Sequence, residues 1–542
     1  MGTRKRILIL GGGFSGVYTA RNLERLLRPD EATISLINQE NYWVYQPLLP
    51  EVISGLVGLT DVVCPIRQLC RRTGLVMREI QKIDLANKVV TVSPGFRPRL
   101  LELSFDYLVI ALGSISNFWG TPGGVEHLKP FRTLADALSL RNHLIQTLEE
   151  AEIETDAGLR RKLLTFVVAG GGFSGVEVVA ELRDFVDNMR RHFPRLRSEW
   201  ARCVLVHAGD RILPEMSESL ALFAHKLLAK RGIEIRLNER LVGATSEKAL
   251  LGSGLEIPAK TIVSSVPSSN PRVLQDLECE KEGWRLKVNG NLELVGHEGC
   301  VWALGDCASI KTVSGNRTPP TAQHATREAK TVAMNIVAAI RGGPTCRFAF
   351  EGLGKLGSLG EYSAVAEVLG VRISGFPAWL LWRAVYLAKL PSLRQKVRIA
   401  LSWFFVLLFP PDFVQMRLTR QPAIARQHFE TGEVVFRQGD LGDNVYLIQS
   451  GECDVFRETN GRQSPVATLG PGDCFGEMAL LNDVTRNATV RVRTSMDVLL
   501  LSKDDFDALK TSIPVFGDVF RRLATHRSTG NLEPPSKGFS EE

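Results

Sequence analysis

Gly11-Gly12-Gly13-Phe14-Ser15-Gly16-Val17 is repeated without change as Gly170-Gly171-Gly172-Phe173-Ser174-Gly175-Val176. Each copy follows an apolar run, Arg6-Ile-Leu-Ile-Leu10 or Leu164-Thr-Phe-Val-Val-Ala169, and leads into a stretch without Gly or Pro, residues 18–27 or 177–185. Strand, glycine turn and helix in that order form the arrangement in which a backbone grips a pyrophosphate. Gly11 and Gly170 allow the tight turn, Gly13 and Gly172 let the main chain approach the anion, and Gly16 and Gly175 let helix and strand close up. Phe14 and Ser15, like Phe173 and Ser174, open the helices whose first N–H groups face the phosphates. A single copy is a weak sign; two in full context predict an α/β chain with two Rossmann-like domains holding two different dinucleotides.

Each unit should end its second strand on an acid for the ribose hydroxyls, and neither does. Asn38 closes Ile34-Ser-Leu-Ile-Asn38 and can still hydrogen-bond a ribose, while His207 closes Val204-Leu-Val-His207. A carboxylate at 207 would repel the 2′-phosphate of NADPH, and a histidine with Arg211 four residues on would not, so NADH and NADPH both stay open. The other reading of His207 is a strand-end side chain with no ligand role.

At 542 residues the chain exceeds one hydrophobic core, and 44% hydrophobic with 23% charged residues is the balance of folded, water-soluble protein. The nine cysteines include no Cys-x-x-Cys, and the nearest two in sequence are Cys64 and Cys70, which fits a reducing compartment and no metal site. Ile7 to Leu10 is too short for a signal-peptide core and reads as a first strand. Between Val371 and Arg420 stand Arg372, Arg383, Lys389, Arg394, Lys396, Arg398, Arg417 and Arg420 against one acid, Asp412. That local excess equals the whole-chain charge of +7, so the remainder is neutral. A nucleic-acid partner is not expected; an anionic membrane surface is.

Further segments carry a resemblance. Phe105-Asp-Tyr-Leu-Val-Ile-Ala-Leu-Gly-Ser114 and Val301-Trp-Ala-Leu-Gly-Asp-Cys-Ala308 resemble the strand-end motifs of flavoproteins with two dinucleotide domains. Asn41-Tyr-Trp-Val-Tyr-Gln-Pro-Leu-Leu49 and Pro319-Pro-Thr-Ala-Gln-His-Ala325 resemble type II NADH dehydrogenases, over roughly residues 5–420. The resemblance implies a glutathione-reductase-like fold, with residues 1–125 and 300–350 binding FAD, 126–299 binding NAD(P)H and 351–420 associating with a membrane. It implies FAD contacts from Gln46, Gly113, Asp306 (to the ribityl hydroxyl) and Gln323 beside the cradle residues and Asn38, and catalytic roles for Glu177 near the nicotinamide and Gln323 at the quinone entrance. Glu177 also reads as a first-turn carboxylate stabilised by the helix dipole, with Glu181 one turn on. Arg327 departs from the family, which carries a second glutamine there. Its guanidinium can donate to a quinone carbonyl or stabilise anionic flavin, or simply pair with Glu328. Disulfide reductases and sulfide:quinone oxidoreductases fit poorly, since no Cys precedes Cys64 and none occurs from Arg71 to Arg202.

Residues 376–409 place Trp379, Trp382, Tyr386 and Leu390 on one helical face and Val397, Leu401, Phe404 and Leu408 on another. The longest uncharged run falls short of the roughly 20 residues that span a bilayer, so helices lying in the interface are expected, or else a face buried in a dimer or against the flavin domains. After Pro410-Pro411, short strands between glycines suggest a β jelly roll. Phe475-Gly-Glu-Met-Ala-Leu-Leu481 with Arg486-Asn-Ala-Thr-Val490 resembles the phosphate cassette of cyclic-nucleotide-binding domains, implying that residues 421–530 bind cAMP or cGMP. Phe475, Gly476, Met478, Ala479, Asn487 and Ala488 would line that site, Arg486 would face the phosphate and Glu477 the ribose hydroxyl. A helical lid is expected over 503–527 and a disordered tail over 531–542.

The expectation is an FAD enzyme passing electrons from NADH, or NADPH, to a membrane quinone without pumping protons, modulated by a cyclic nucleotide. By the resemblance it would be peripheral on the cytoplasmic face of the bacterial inner membrane, as a homodimer. The competing reading is a membrane-attached cyclic-nucleotide receptor whose flavoprotein part is silent.

Overall fold

Lys5–Leu10 is flanked in parallel by Ala32–Asn38 on one side and Tyr107–Ile110 on the other, with Gly74–Met77 and Val301–Ala303 at the two edges. Such a central strand is covered on both faces, which is why it is a continuous apolar run: Ile7, Leu8, Ile9 and Leu10 are all buried. Helix α1 (Phe14–Leu26) follows the first strand, and a short helix α2 (Pro50–Ser54) follows the second. A second parallel sheet repeats the plan in the order Lys129–Pro130, Thr261–Ser264, Thr165–Ala169, Arg202–Val206, Ile233–Arg236. Helix α3 (Phe173–Met189) leaves its central strand as α1 leaves the first. Helix α4 (Ala322–Arg341) then packs along α1. The structure, a computed structural model, describes residues 4–94, 100–118, 121–196, 201–266, 268–360, 362–409, 412–416, 424–440, 444–459, 462–478 and 485–502.

An antiparallel meander, Gly354–Ser358, Ala364–Val368 and Val371–Gly375, leads into helix α5 (Phe376–Lys389) and helix α6 (Leu393–Leu408). Here one expectation is corrected. The face bearing Trp382, Tyr386 and Leu390 does not look outward: Trp382 and Leu390 are buried, and the Tyr386 carbonyl accepts from the Tyr45 hydroxyl at 3.0 Å. The α5 aromatics have a nearer apolar partner than any lipid, because α5 lies against the strand Ala364–Val368. On α6, Val397, Leu401, Phe404 and Leu408 do stand exposed. Among the described residues no helix is long and apolar enough to cross a membrane, and no group of His, Cys, Asp and Glu is placed to hold a metal.

The chain divides into two units, Met1–Val90 with Leu103–Arg417, and Thr91–Glu102 with Leu418–Glu542. In the second, the long strands Asn444–Thr459 and Thr489–Ser502 pair antiparallel, with Ile424–Phe429 and Arg462–Leu469 outside them. They surround a core of Phe436, Tyr446, Ile448, Phe475, Val490 and Val498. This is the β domain that the glycine-punctuated strands led one to expect. Ala479, the lid at 503–527 and the tail lie outside the described residues.

The two glycine turns leave no room for a side chain where strand meets helix. A methyl group at Gly16 would collide with the Gly11 carbonyl oxygen, and one at Gly175 with that of Gly170. Gly175→Ala is therefore expected to destabilise the protein by about 1–3 kcal/mol through overpacking against backbone. It should weaken dinucleotide binding at the second turn and leave the first turn's binding intact, read by thermal melting and dinucleotide titration.

Candidate functional site

At the first turn Gly11 has φ +102°, and a Cβ there would strike the Ala111 carbonyl oxygen. Gly13 is the N-cap of α1, no side chain caps it, and no atom lies within 4 Å of the place its Cβ would take. Unsatisfied N–H groups thus face open space, which suits a pyrophosphate. The Gly12 N–H donates to Asn38 Oδ1 at 2.8 Å, and Asn38 Nδ2 donates to the Glu40 carbonyl at 2.9 Å. Asn38 braces the turn, and Glu40 brings to its side the acid missing at the strand end. Sequence reading passed over Glu40 by looking only at the last strand position; an acid two residues further on was the available signal.

Asp306 accepts from Ser114 Oγ at 2.9 Å and lies 3.8 Å from Arg132 Nη1. Its neighbour Gly305 has φ +75°, and a Cβ there would run into Ser15 Oγ, so the turn bearing Asp306 sits on the first turn of α1. Gly113 has φ +64° with open space where a Cβ would be, Gln46 is exposed just before α2, and the Phe14 ring meets Trp43 edge-on at 4.8 Å. An uncapped helix start, open glycines and an aspartate together fit FAD. The Gly305 N–H donates to Glu328 Oε2 at 2.9 Å, and burial pushes the Glu328 carboxyl up to about 7. Sequence reading had offered Glu328 only as a partner for Arg327.

The second cradle copies the first. Gly170 has φ +115°, Gly172 caps α3 without side-chain help, and the Gly171 N–H donates to His207 Nδ1 at 3.1 Å. His207 thus does for this turn what Asn38 does for the other, and that hydrogen bond puts the ring proton on Nε2. Arg211 donates to the Pro214 carbonyl of its own turn at 3.1 Å. Phe173 packs under Gly357 of the meander, and Ser174 is exposed.

Four residues into α3, Glu177 Oε1 accepts from the Ser358 N–H at 3.1 Å; burial and then the charge of Glu51 push its carboxyl up to about 8, against the pull of that N–H. Two further acids lie behind it. Glu181 is 1% exposed, and Ser54 Oγ lies 2.5 Å from its Oε2. Glu51 is 3% exposed, accepts from Trp403 Nε1 at 2.7 Å and lies 3.6 Å from Arg383. Arg383 is itself held between the Trp379 and Trp403 rings, at 4.3 and 4.2 Å. Burial raises all three carboxyls. Burying an uncompensated carboxylate costs several kcal/mol, and one guanidinium offsets one charge, so the other acids keep their protons at neutral pH.

Gln323 donates to the Gly354 carbonyl at 3.0 Å and accepts from the Leu353 N–H at 3.2 Å, so both ends of its amide hold the start of the meander. Arg327 stacks on Phe350 at 4.1 Å and donates to the Gln323 carbonyl at 3.2 Å; Glu328 is turned away from it toward Gly305. In the β domain the Arg486 guanidinium donates to the Gly476 and Asn444 carbonyls at 2.6 and 2.8 Å and lies 4.2 Å over Phe436. Phe475 stacks on Tyr446 at 4.9 Å, Asn487 Nδ2 contacts Met478 Sδ at 3.3 Å, and Glu477 and Ala488 are buried.

Comparison with known proteins agrees with this division. A family model described as pyridine nucleotide-disulphide oxidoreductase matches residues 5–329, the NDH2 C-terminal domain matches 353–412, and a cyclic nucleotide-binding domain matches 426–512. The type II NADH:quinone oxidoreductase Ndh of Mycobacterium tuberculosis is 30% identical, the match covering 79% of this chain and 93% of that protein. Demethylphylloquinone reductase NdbB of Synechocystis is also 30% identical, over 74% of this chain and 96% of its own. Among solved structures, NDH2 from Plasmodium falciparum in complex with NADH has the same fold, with a TM-score of 0.70 at 18% identity, covering 76% of this chain and 100% of that one.

Raised carboxyls make stability depend on pH in a defined direction. The folded state keeps a proton that the unfolded chain releases, so stability is full below the ordinary value of 4.5 and is lost as pH rises through about 7 for Glu328 and about 8 for Glu177. The melting temperature is expected to fall from pH 5 to pH 8, and Glu328→Gln to remove up to about 3 kcal/mol of that fall. A melting temperature that rises across this interval contradicts the assignment.

Proposed function

This chain belongs to the type II NADH:quinone oxidoreductase family, and from that premise we propose that it works at a membrane surface, taking NADH from water and quinone from lipid, under the influence of a cyclic nucleotide. Bound FAD supplies the redox chemistry, accepting a hydride from NADH and passing two electrons to a quinone. The chain supplies position. The first turn, with Asn38, Glu40 and Asp306, would hold FAD. The second, braced by His207, would hold NADH with Glu177 beside the nicotinamide. As hydride leaves, that ring becomes cationic, and a carboxylate at Glu177 favours the charge. The observation that carries the reading is the doubled cradle, each copy with a glycine at a helix start that no side chain caps.

The lipid side of the proposal rests on α6, whose exposed Val397, Leu401, Phe404 and Leu408 are flanked by Arg394 and Lys396. Such a face buries apolar side chains below the headgroups while the cations meet lipid phosphate. The cyclic-nucleotide part rests on Arg486 and Glu477 in a cassette that resembles the family's except at Asn487, which leaves cAMP and cGMP both open. A homodimer on the cytoplasmic face of a bacterial inner membrane belongs to the same reading.

The deciding experiment is stopped-flow mixing of the yellow protein with NADH and NADPH separately, then with a soluble quinone. Bleaching by NADH, with an apparent rate that rises as pH passes about 8 and loses this dependence in Glu177→Gln, is the expected result; absence of a flavin spectrum favours the silent-receptor reading. For the β domain, Arg486→Gln should weaken cAMP or cGMP binding about 10- to 100-fold in calorimetry, the worth of a charge-assisted hydrogen bond. Unchanged binding removes Arg486 from the site.

A further inference from the structure

Quinone reduction sets a proton count. NADH gives up two electrons and one proton as hydride, and a quinone becomes a quinol by taking two electrons and two protons. The balance is NADH + H+ + Q → NAD+ + QH2, so each turnover draws one further proton. An acceptor site covered by lipid has little water to draw it from, and the protein must bring it in.

Three carboxyls lie together behind the second cradle, and only Glu177 belongs to the cradle itself. Glu51 and Ser54 are one turn apart on α2, Glu181 is on α3 one turn beyond Glu177, and Arg383 and Trp403 reach them from α5 and α6. Ser54 Oγ lies 2.5 Å from Glu181 Oε2 and 3.2 Å from the Glu51 carbonyl oxygen. A hydroxyl has one proton to give. When Ser54 donates it to the carbonyl, the contact with Glu181 is satisfied by a proton on Glu181. Toward the outside, Arg398 pairs with Asp61 at 2.6 Å, and Ser402, next to Trp403, donates to Asp61 at 3.3 Å. Helix α6 thus carries two separate polar contacts, Ser402 on Asp61 and Trp403 on Glu51.

We propose that Glu51 and Glu181 are a proton store, refilled from the α6 side and discharged past Glu177 to the quinone being reduced. They touch neither nucleotide and act as positioning residues for a proton. The proposal deepens the oxidoreductase reading and rests on it. The charges around the store are few. Arg383 faces Glu51 and Glu181, and Arg141 donates to the Val52 carbonyl at 3.1 Å beside Glu51. Asp184, paired with Arg231, lies on α3 near Glu181, Glu177 acts on Tyr386, and Tyr362 acts on Arg383. With Asp61 taken by Arg398, Arg383 is, among the described residues, the guanidinium that faces Glu51 and Glu181. Burial raises each of the three, in keeping with stored protons at neutral pH.

Two measurements on the flavin-loaded full chain test this. Infrared spectra of the resting protein at neutral pH should contain protonated-carboxyl C=O bands that shift in deuterium oxide and disappear in part in Glu51→Gln and in Glu181→Gln. In stopped flow, both variants should bleach with NADH at nearly the wild-type rate yet regain colour with quinone roughly 100-fold more slowly, the lower range for loss of a positioned proton donor. Their recolouring should also lose the wild-type pH profile, and Glu181→Asp should restore part of the rate. A merely structural role would slow both half-reactions together and leave the pH profile in place. If neither variant removes a carboxyl band, the protons are not stored there and the proposal is overturned. It is equally overturned if the bands are lost but recolouring stays at the wild-type rate. Failure of quinone to restore colour in the unsubstituted protein strikes instead at the oxidoreductase reading itself.

Discussion

A side chain on Gly16 or Gly175 would take the space of a carbonyl oxygen in the turn before it, so in both cradles strand and helix meet through backbone alone. That closeness leaves the first N–H groups of α1 and α3 without a side-chain cap, with open space at Gly13 and the Glu215 carboxylate near Gly172. A second contact holds each turn in shape: the middle glycine gives its N–H to an acceptor at the end of the neighbouring strand, Asn38 in one case and His207 in the other. On the proposed reading, the residues that would hold the two dinucleotides are hung from those two turns. Asp306 reaches the first because Gly305 is packed on Ser15, and Glu177 belongs to the second because it follows Gly175 on the same helix.

The acids behind Glu177 connect this geometry to the far end of the first unit. Buried carboxyls demand hydrogen bonds or countercharge, and here both come from elements remote in sequence: Ser54 on α2, Arg383 on α5, Trp403 on α6. The α5–α6 hairpin is thereby tied to α2 and α3 by polar contacts, and to Tyr45 through the Tyr386 ring and carbonyl. Buried polar groups satisfied in this way favour one arrangement over its neighbours, since any shift strands a donor or an acid. The same contacts that fix the hairpin also hold protons near the cradle, so positional and chemical roles coincide in a few side chains.

The parallel sheets, the two turns and the β domain could be read from the chain because each is written in local spacing: an apolar run, three glycines, a helix-forming stretch. Asp306 and Glu177 were legible through motifs that surround them. What escaped was whatever depends on partners distant in sequence. Trp382 and Tyr386 carry the pattern of an interfacial face, and nothing in residues 376–390 says that the strand Ala364–Val368 lies against it. Glu51 and Glu328 look like ordinary surface acids in a line of sequence; their burial is decided by Arg383 and Gly305, some hundreds of positions away for the one and just before α4 for the other. His207 was weighed only as a ribose contact or a bystander, whereas it braces the turn, a role that becomes visible once its likeness to Asn38 is seen in space.

The β domain raises the question of what a ligand could change there. A ligand shifts a protein only by the difference in its affinity for two states. In this structure Arg486 spends N–H donors on the carbonyls of Gly476 and Asn444 and lies over Phe436, so it joins the cassette to the long strand Asn444–Thr459. A phosphate in the cassette competes for that same guanidinium, which has five donors in a rigid plane and cannot turn toward one acceptor without changing its angle to the rest. The bonds that differ between empty and filled states are then those that tie the cassette to the sheet. On the proposed reading, regulation would begin with the exchange of a carbonyl for a phosphate at Arg486, and its size would be bounded by the difference between those two sets of bonds.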